Sequence, residues 1–236
     1  MIDKMMGSHQ LKPPLLLPVI HVESEEQALR NAQIAYEAGC GGVFLINHDI
    51  PYTALLEIHH TVYQTWPEWW IGVNCLDLEP AQIFGVISEE VAGVWVDNAK
   101  IVEQRAAQPA AEKIQQARQK SGWSGLYFGG VAFKYQRAVA DVGQAARLAG
   151  GYMDVVTTSG PGTGQAARRE KIAAMKAALG EAPLALASGI SLTNIDHYLG
   201  LADYFLVATS ISKSWTELDP GLVGQLAGKI AAYRPS

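Results

Sequence analysis

The chain is poor in cysteine, in net positive charge and in long apolar runs, and each shortage excludes a class of protein. Cys40 and Cys75 are the only cysteines in 236 residues and form no Cys-x-x-Cys pair. Neither a disulfide framework nor a zinc signature can be read from them, and a cytoplasmic location is the expectation. A formal net charge of −5 gives no basic field to hold nucleic acid, which leaves room only for a local basic pocket around a small anion. The apolar stretch Leu15–Val22 falls far short of the roughly 18 residues of a membrane span. Pro13, Pro14 and Pro18 argue against a signal-peptide helix there. No tight cluster of His, Asp and Glu is present, so no fixed metal site and no cofactor are implied.

Residues 1–14 read as an irregular segment, in which Gly7-Ser8-His9 resembles a tag remnant or a native irregular end. From residue 15 to residue 236 no linker or low-complexity tract interrupts the chain, and one domain is expected. Short β-rich runs alternate there with segments of helical period, the pattern of βα units around a parallel sheet. The runs are 16–22, 42–47, 70–75, 93–97, 125–131, 154–158, 184–188 and 204–209. Eight such units close a (β/α)8 TIM barrel, and about 250 residues is a typical length for one. A doubly wound sheet shares the alternation, but the count favours the barrel.

Helix signals support the same order. Ser24-Glu25-Glu26-Gln27 is a capping box, followed by Ala28, Ala32, Ala35 and Tyr36 on one face and by Gly39 as a stop. Ile172, Met175 and Leu179 predict a helix over 165–179; Leu192, Ile195 and Leu199 predict another after Ser191; Pro220 opens a last one through Leu222, Leu226 and Ile230. His59-His60 lies in the predicted second helix as a surface and packing pair. Trp66, Trp69 and Trp70 flank the entry of the third strand and read as packing residues.

In such a barrel the site forms at the carboxyl ends of the strands. The last three strands run into Ser159-Gly160-Pro161-Gly162-Thr163-Gly164, Ala187-Ser188-Gly189-Ile190-Ser191 and Ala208-Thr209-Ser210. Glycine lets backbone approach an anion and helix starts add partial positive charge, so Ser159, Gly160, Ser188, Gly189, Ala208, Thr209 and Ser210 are candidate phosphate-binding residues. Lys134 follows the fifth strand and would either pair with a phosphate or carboxylate or form a Schiff base with a carbonyl. Asp49 and Asp97 would act as acid or base, or hold a divalent ion with Asn74. His21, Asn47 and Asn74 complete the candidate substrate-binding set.

The three glycine- and hydroxyl-rich loops, with Asn194-Ile195, Ala202-Asp203 and Ile211-Ser212-Lys213, resemble the BtpA family, named for a photosystem I biogenesis protein. The likeness extends thinly to Gly41-Gly42-Val43, Asp49-Ile50-Pro51-Tyr52, Ile71-Gly72-Val73-Asn74 and Lys134. It implies a phosphate-binding barrel of a diverged subgroup: His21 alone is kept from the family's opening strand motif, Asn47 replaces an expected acidic residue, and Ala208 stands where phosphate barrels usually carry glycine. Two functions follow as expectations. One is an enzyme, a lyase, isomerase or transferase, acting on a phosphorylated small molecule such as a sugar phosphate or phosphoribosyl compound. The other is a non-catalytic ligand-binding protein in complex assembly or regulation. Homo-oligomerisation is left open by the sequence.

Overall fold

The computed structural model describes residues 11–234; the tag-like Gly7-Ser8-His9 and most of the irregular first segment lie outside the described residues. Eight strands follow in chain order: β1 Leu15–Val22, β2 Gly42–Asn47, β3 Trp70–Asn74, β4 Gly93–Val96, β5 Leu126–Gly130, β6 Val155–Ser159, β7 Leu184–Ala187 and β8 Tyr204–Val207. Each pairs in parallel with the next, and β1 returns to β8 with Leu17 opposite Leu206, so the sheet closes into a barrel. The expected (β/α)8 fold is the fold observed. Strand closure leaves no exposed edge, which is why these apolar, β-branched runs are buried almost throughout.

Six α-helices cover the barrel among the described residues: α1 Glu25–Glu37, α2 Tyr52–Thr65, α3 Pro109–Ser121, α4 Val142–Ala149, α5 Arg169–Leu179 and α6 Pro220–Ala231. Ser24 caps α1 by accepting from Gln27 N at 3.3 Å, and the Gln27 amide reaches back to accept from Glu23 N. Ala28, Ala32 and Ala35 are fully buried beneath it. Two connections depart from the expected helices. Between β3 and β4 the chain makes only a 3-10 turn, Ile83–Gly85, and between β7 and β8 only Ile195–His197. The segment around Leu192, Ile195 and Leu199 is held by Asn194, whose Oδ1 accepts from Ser191 N and whose Nδ2 donates to Gly189 O. That side-chain competition for the backbone favours a turn over a helix.

Inward-facing residues at the amino end of the barrel are aromatic. Phe44 packs at 5.1 Å from Trp70 and 5.2 Å from Phe128, and Phe128 at 5.6 Å from Tyr204, in edge-to-face or tilted pairs. Glycine makes the room: a Cβ on Gly93 would sit 2.1 Å from Trp70 Cζ2, and one on Gly72 would sit 2.5 Å from Phe44 Cε1. Trp69 faces the helices instead and donates its indole N–H to Cys40 O at 2.9 Å. Both cysteines are buried and free, and burial pushes their thiols up to about 12. They are inert packing groups at neutral pH. No helix among the described residues is long and apolar enough to cross a membrane.

Candidate functional site

At the carboxyl end the inward positions change from aromatic to small and polar, and a cavity of about 290 Å³ opens there. Its walls come from β1, β2, β4, β7 and β8 and from the loops after β5 and β6. Strand alternation selects the residues. Val19 and Ile46 face the barrel interior, and two positions further His21 and His48 reach the cavity; Trp95 and Asp97 share the inward face of β4.

One side of the cavity gathers a cation, hydroxyls and free backbone donors. Lys134 Nζ lies 3.2 Å from Thr163 Oγ1 and 3.4 Å from Ser188 Oγ, which places a cation between the loops after β6 and β7. Ser188 and Gly189 are both left-handed, at φ 66° and 70°. For Ser188 that conformation is strained, and such strain is held where the surroundings over-determine it. Gly189 has no alternative, since a Cβ would strike the Gln165 carbonyl carbon at 2.3 Å. Among the described residues the N–H groups of Gly189 and Ile190 donate to no protein acceptor. Thr209 begins a 3-10 turn, Thr209–Ile211, whose start also faces the cavity. The Ser210 hydroxyl is committed, donating to Ile190 O and tying the last two loops together.

The opposite side carries titratable groups. Asp97 Oδ1 accepts from Asn74 Nδ2 at 3.0 Å, and its carbonyl accepts from Gln136 Nε2 at 2.6 Å. Burial raises the Asp97 carboxyl above the ordinary aspartate range, against the opposing pull of the Asn74 hydrogen bond, Lys134 and His48. His21 stacks on His48 at 4.8 Å and meets the edge of Trp215 at 4.0 Å. Burial, then His48 and Lys134, push the His21 imidazole down to about 4. His48 is lowered as well, mainly by burial and against the attraction of Asp49 and Asp97. Both rings are neutral bases at pH 7.

Several sequence-derived candidates fall outside this cavity, each for a physical reason. Ser159 is fully buried; its hydroxyl donates to Gly160 O and accepts from Lys134 N at 2.7 Å, so it anchors the Lys134 loop. Gly160 serves close packing, because a Cβ would stand 1.9 Å from Gln165 O. The part of that loop that reaches the cavity is Thr163-Gly164. Asn47 is 1% exposed and braces the rim: Nδ2 donates to Ile50 O and Asp77 Oδ1, and Oδ1 accepts from Leu76 N. Asp49 is exposed and does not line the cavity. Asn74 does not line the cavity and donates to Asp97 instead. His21, Asp97, Lys134, Ser188, Gly189, Ala208, Thr209 and Ser210 are brought together. Among the described residues no group of three His, Cys, Asp or Glu side chains is placed to hold a metal ion.

Four contributors were given no role from the sequence: His48 and Thr163, noted only as parts of strand-end segments, and Trp95 and Lys171. Alternation from Ile46 was the available signal for His48. Lys171, on α5, donates to Ala132 O and Ser159 O, both at 2.6 Å, and burial draws its ammonium down to about 8. It ties together the strand ends that carry Lys134 and the loop after β6. Nothing in its sequence neighbourhood separates it from a solvated helix lysine.

No family model matches the sequence, and no curated protein matches it. Solved structures do match in fold. Phosphoribosyl anthranilate isomerase from Thermus thermophilus is 14% identical over 93% of this chain and 100% of its own, with a TM-score of 0.66. (S)-3-O-geranylgeranylglyceryl phosphate synthase from Thermoplasma acidophilum is 12% identical over 92% of each chain, with a TM-score of 0.64. KDPG aldolase from Legionella pneumophila is 15% identical over 94% of this chain and 96% of its own, with a TM-score of 0.59. At these identities the likeness is one of fold, and it agrees with the eight-stranded closed barrel.

Proposed function

We propose that this barrel is an enzyme acting on a phosphorylated small molecule, a sugar phosphate or phosphoribosyl compound, at its carboxyl-end cavity. The observation that carries the reading is the meeting of Lys134 Nζ with Ser188 Oγ beside the left-handed Ser188-Gly189 pair, in the cavity that also holds Asp97. In this reading Gly189, Ile190, Thr209 and Ser210 offer backbone N–H groups to the phosphate, and Lys134 supplies charge to it rather than a Schiff base. Asp97, raised by burial and oriented by Asn74, exchanges a proton with the reacting end, with His48 as the nearby second base. Phosphate binding then positions that end. Two of the fold relatives carry a phosphorylated compound in their names, which is consistent with this assignment. The kinship with the BtpA family belongs to the same proposal and rests on the residues of the last three loops.

Thermal unfolding with inorganic phosphate and with ribose 5-phosphate tests the reading. A ligand at 100 times its Kd adds about 2.7 kcal/mol to stability, so melting should rise with either anion. The rise should vanish in Ser188→Asp, which sets a carboxylate against the anion, and persist in Asp97→Asn. No rise with either compound refutes the phosphate site. Mass spectrometry of a stabilising ligand, incubated with the wild type and with Asp97→Asn, then separates turnover from binding alone.

A further inference from the structure

Among the described residues, four buried side-chain polar atoms have no hydrogen-bond partner: His21 Nδ1, Trp95 Nε1, Tyr127 Oη and Thr157 Oγ1. Buried donors are nearly always bonded, and an exception calls for a cause. Tyr127 and Thr157 lie away from the cavity, whereas Trp95 and His21 line it. The fold pairs other buried indoles with care: Trp69 donates to Cys40 O at 2.9 Å and Trp123 to Val91 O at 2.7 Å. Trp95 is just as buried, at 4% exposure, but its ring neighbours are Phe44 and Phe133, with centroids at 5.7 and 5.9 Å, and they offer its N–H no acceptor. It stands two residues before Asp97 on the same face of β4, across the barrel from β8 and the loop that begins with Thr209.

We propose that the Trp95 indole N–H is a specificity contact for an uncharged acceptor oxygen, a hydroxyl or carbonyl, on the carbon skeleton of a phosphorylated ligand, with His21 Nδ1 as a second polar contact. The inference rests on the phosphate reading above. An indole N–H only donates, and the nitrogen itself is closed off in this structure, so the ligand must bring an acceptor to that depth while the ring turns slightly to meet it. Val19, Ile46 and Leu206 make that part of the cavity apolar, and Asp97 beside it repels a second carboxylate. A polyol or keto phosphate fits; an alkyl phosphate leaves the donor unpaired.

The test compares inorganic phosphate, n-butyl phosphate, glycerol phosphate and ribose 5-phosphate as probes, by calorimetry and by the indole N–H resonances of 15N-labelled protein. The Trp95 signal is assigned by its loss in Trp95→Phe and by through-space contacts to Phe44 and Phe133. We expect at least one of the two hydroxylated phosphates to move that resonance and to bind about tenfold tighter than butyl phosphate. In Trp95→Phe that margin should fall at least fivefold while affinity for inorganic phosphate stays within twofold. If inorganic phosphate binds but no probe moves the Trp95 resonance, the indole meets no ligand and the inference fails while the phosphate reading stands. If inorganic phosphate itself does not bind, both fall. The resonance measurement uses wild-type protein, so it decides the matter even if Trp95→Phe folds poorly.

Discussion

The two ends of the barrel are built from the same strands and solve opposite problems. At the amino end Trp70, Phe44, Phe128 and Tyr204 fill the interior, and Gly42, Gly72 and Gly93 are bare so that the rings fit. At the carboxyl end the same inward positions carry His21, His48, Asp97, Ala187 and Ala208 around open space. The first end is close-packed and contributes stability; the second keeps a strained serine, a half-buried carboxyl and unpaired donors, features that lower stability unless a ligand meets them. The packed core and the proposed binding site are thus separated along the barrel axis.

Substitutions at the two ends should break in opposite directions. Trp70→Ala empties the packed end and should cost about 3–5 kcal/mol in urea unfolding; any protein that remains folded should keep its anion affinity. Acid gives the next effect. His59, 1% exposed behind β3 and bonded to Ile71 O, is held down to about 4 by burial, against about 6.5 in an unfolded chain. Its contribution is complete above the unfolded value and is lost as pH falls from about 6.5 toward 4, close to 2 kcal/mol between pH 7 and pH 5. His21 follows the same sign at the mouth. Unfolding free energy measured at the two pH values, with His59→Gln as the control that removes about half of the two-histidine effect, checks this. An unchanged pH slope in that variant would place the loss elsewhere. The smallest effect belongs to Ser188→Gly, which relieves the left-handed strain and should raise stability by no more than about 1 kcal/mol while weakening phosphate binding.

The sequence made one end of this contrast more legible than the other. Strand order, the α1 capping box and the start of α6 at Pro220 are local features, and local propensity decided them. The barrel mouth depends on which way each side chain points, and there a shift of one residue exchanges roles. In Asn47-His48-Asp49 the acidic and amide residues drew attention, but alternation from Ile46 sets His48 on the cavity rim, leaves Asn47 as a brace and turns Asp49 away from the cavity. Ser159 looked like a ligand because serine and glycine at a strand end suit an anion; its full burial comes from a loop that folds back over it, which no short motif encodes. Trp95 was hidden for the converse reason, since an indole in an apolar strand reads as core.

Gln165 has a consequence for how this mouth can be re-engineered. Its backbone lies against both Gly160 and Gly189, so that a methyl group at either position would meet the Gln165 peptide at 1.9 or 2.3 Å. The loops after β6 and β7 are therefore one mechanical part, clasped backbone to backbone. A library that randomises one of them alone will return mostly misfolded mouths, whereas the two exchanged together as a block, with both glycines kept, form a cassette in which ligand preference can be varied.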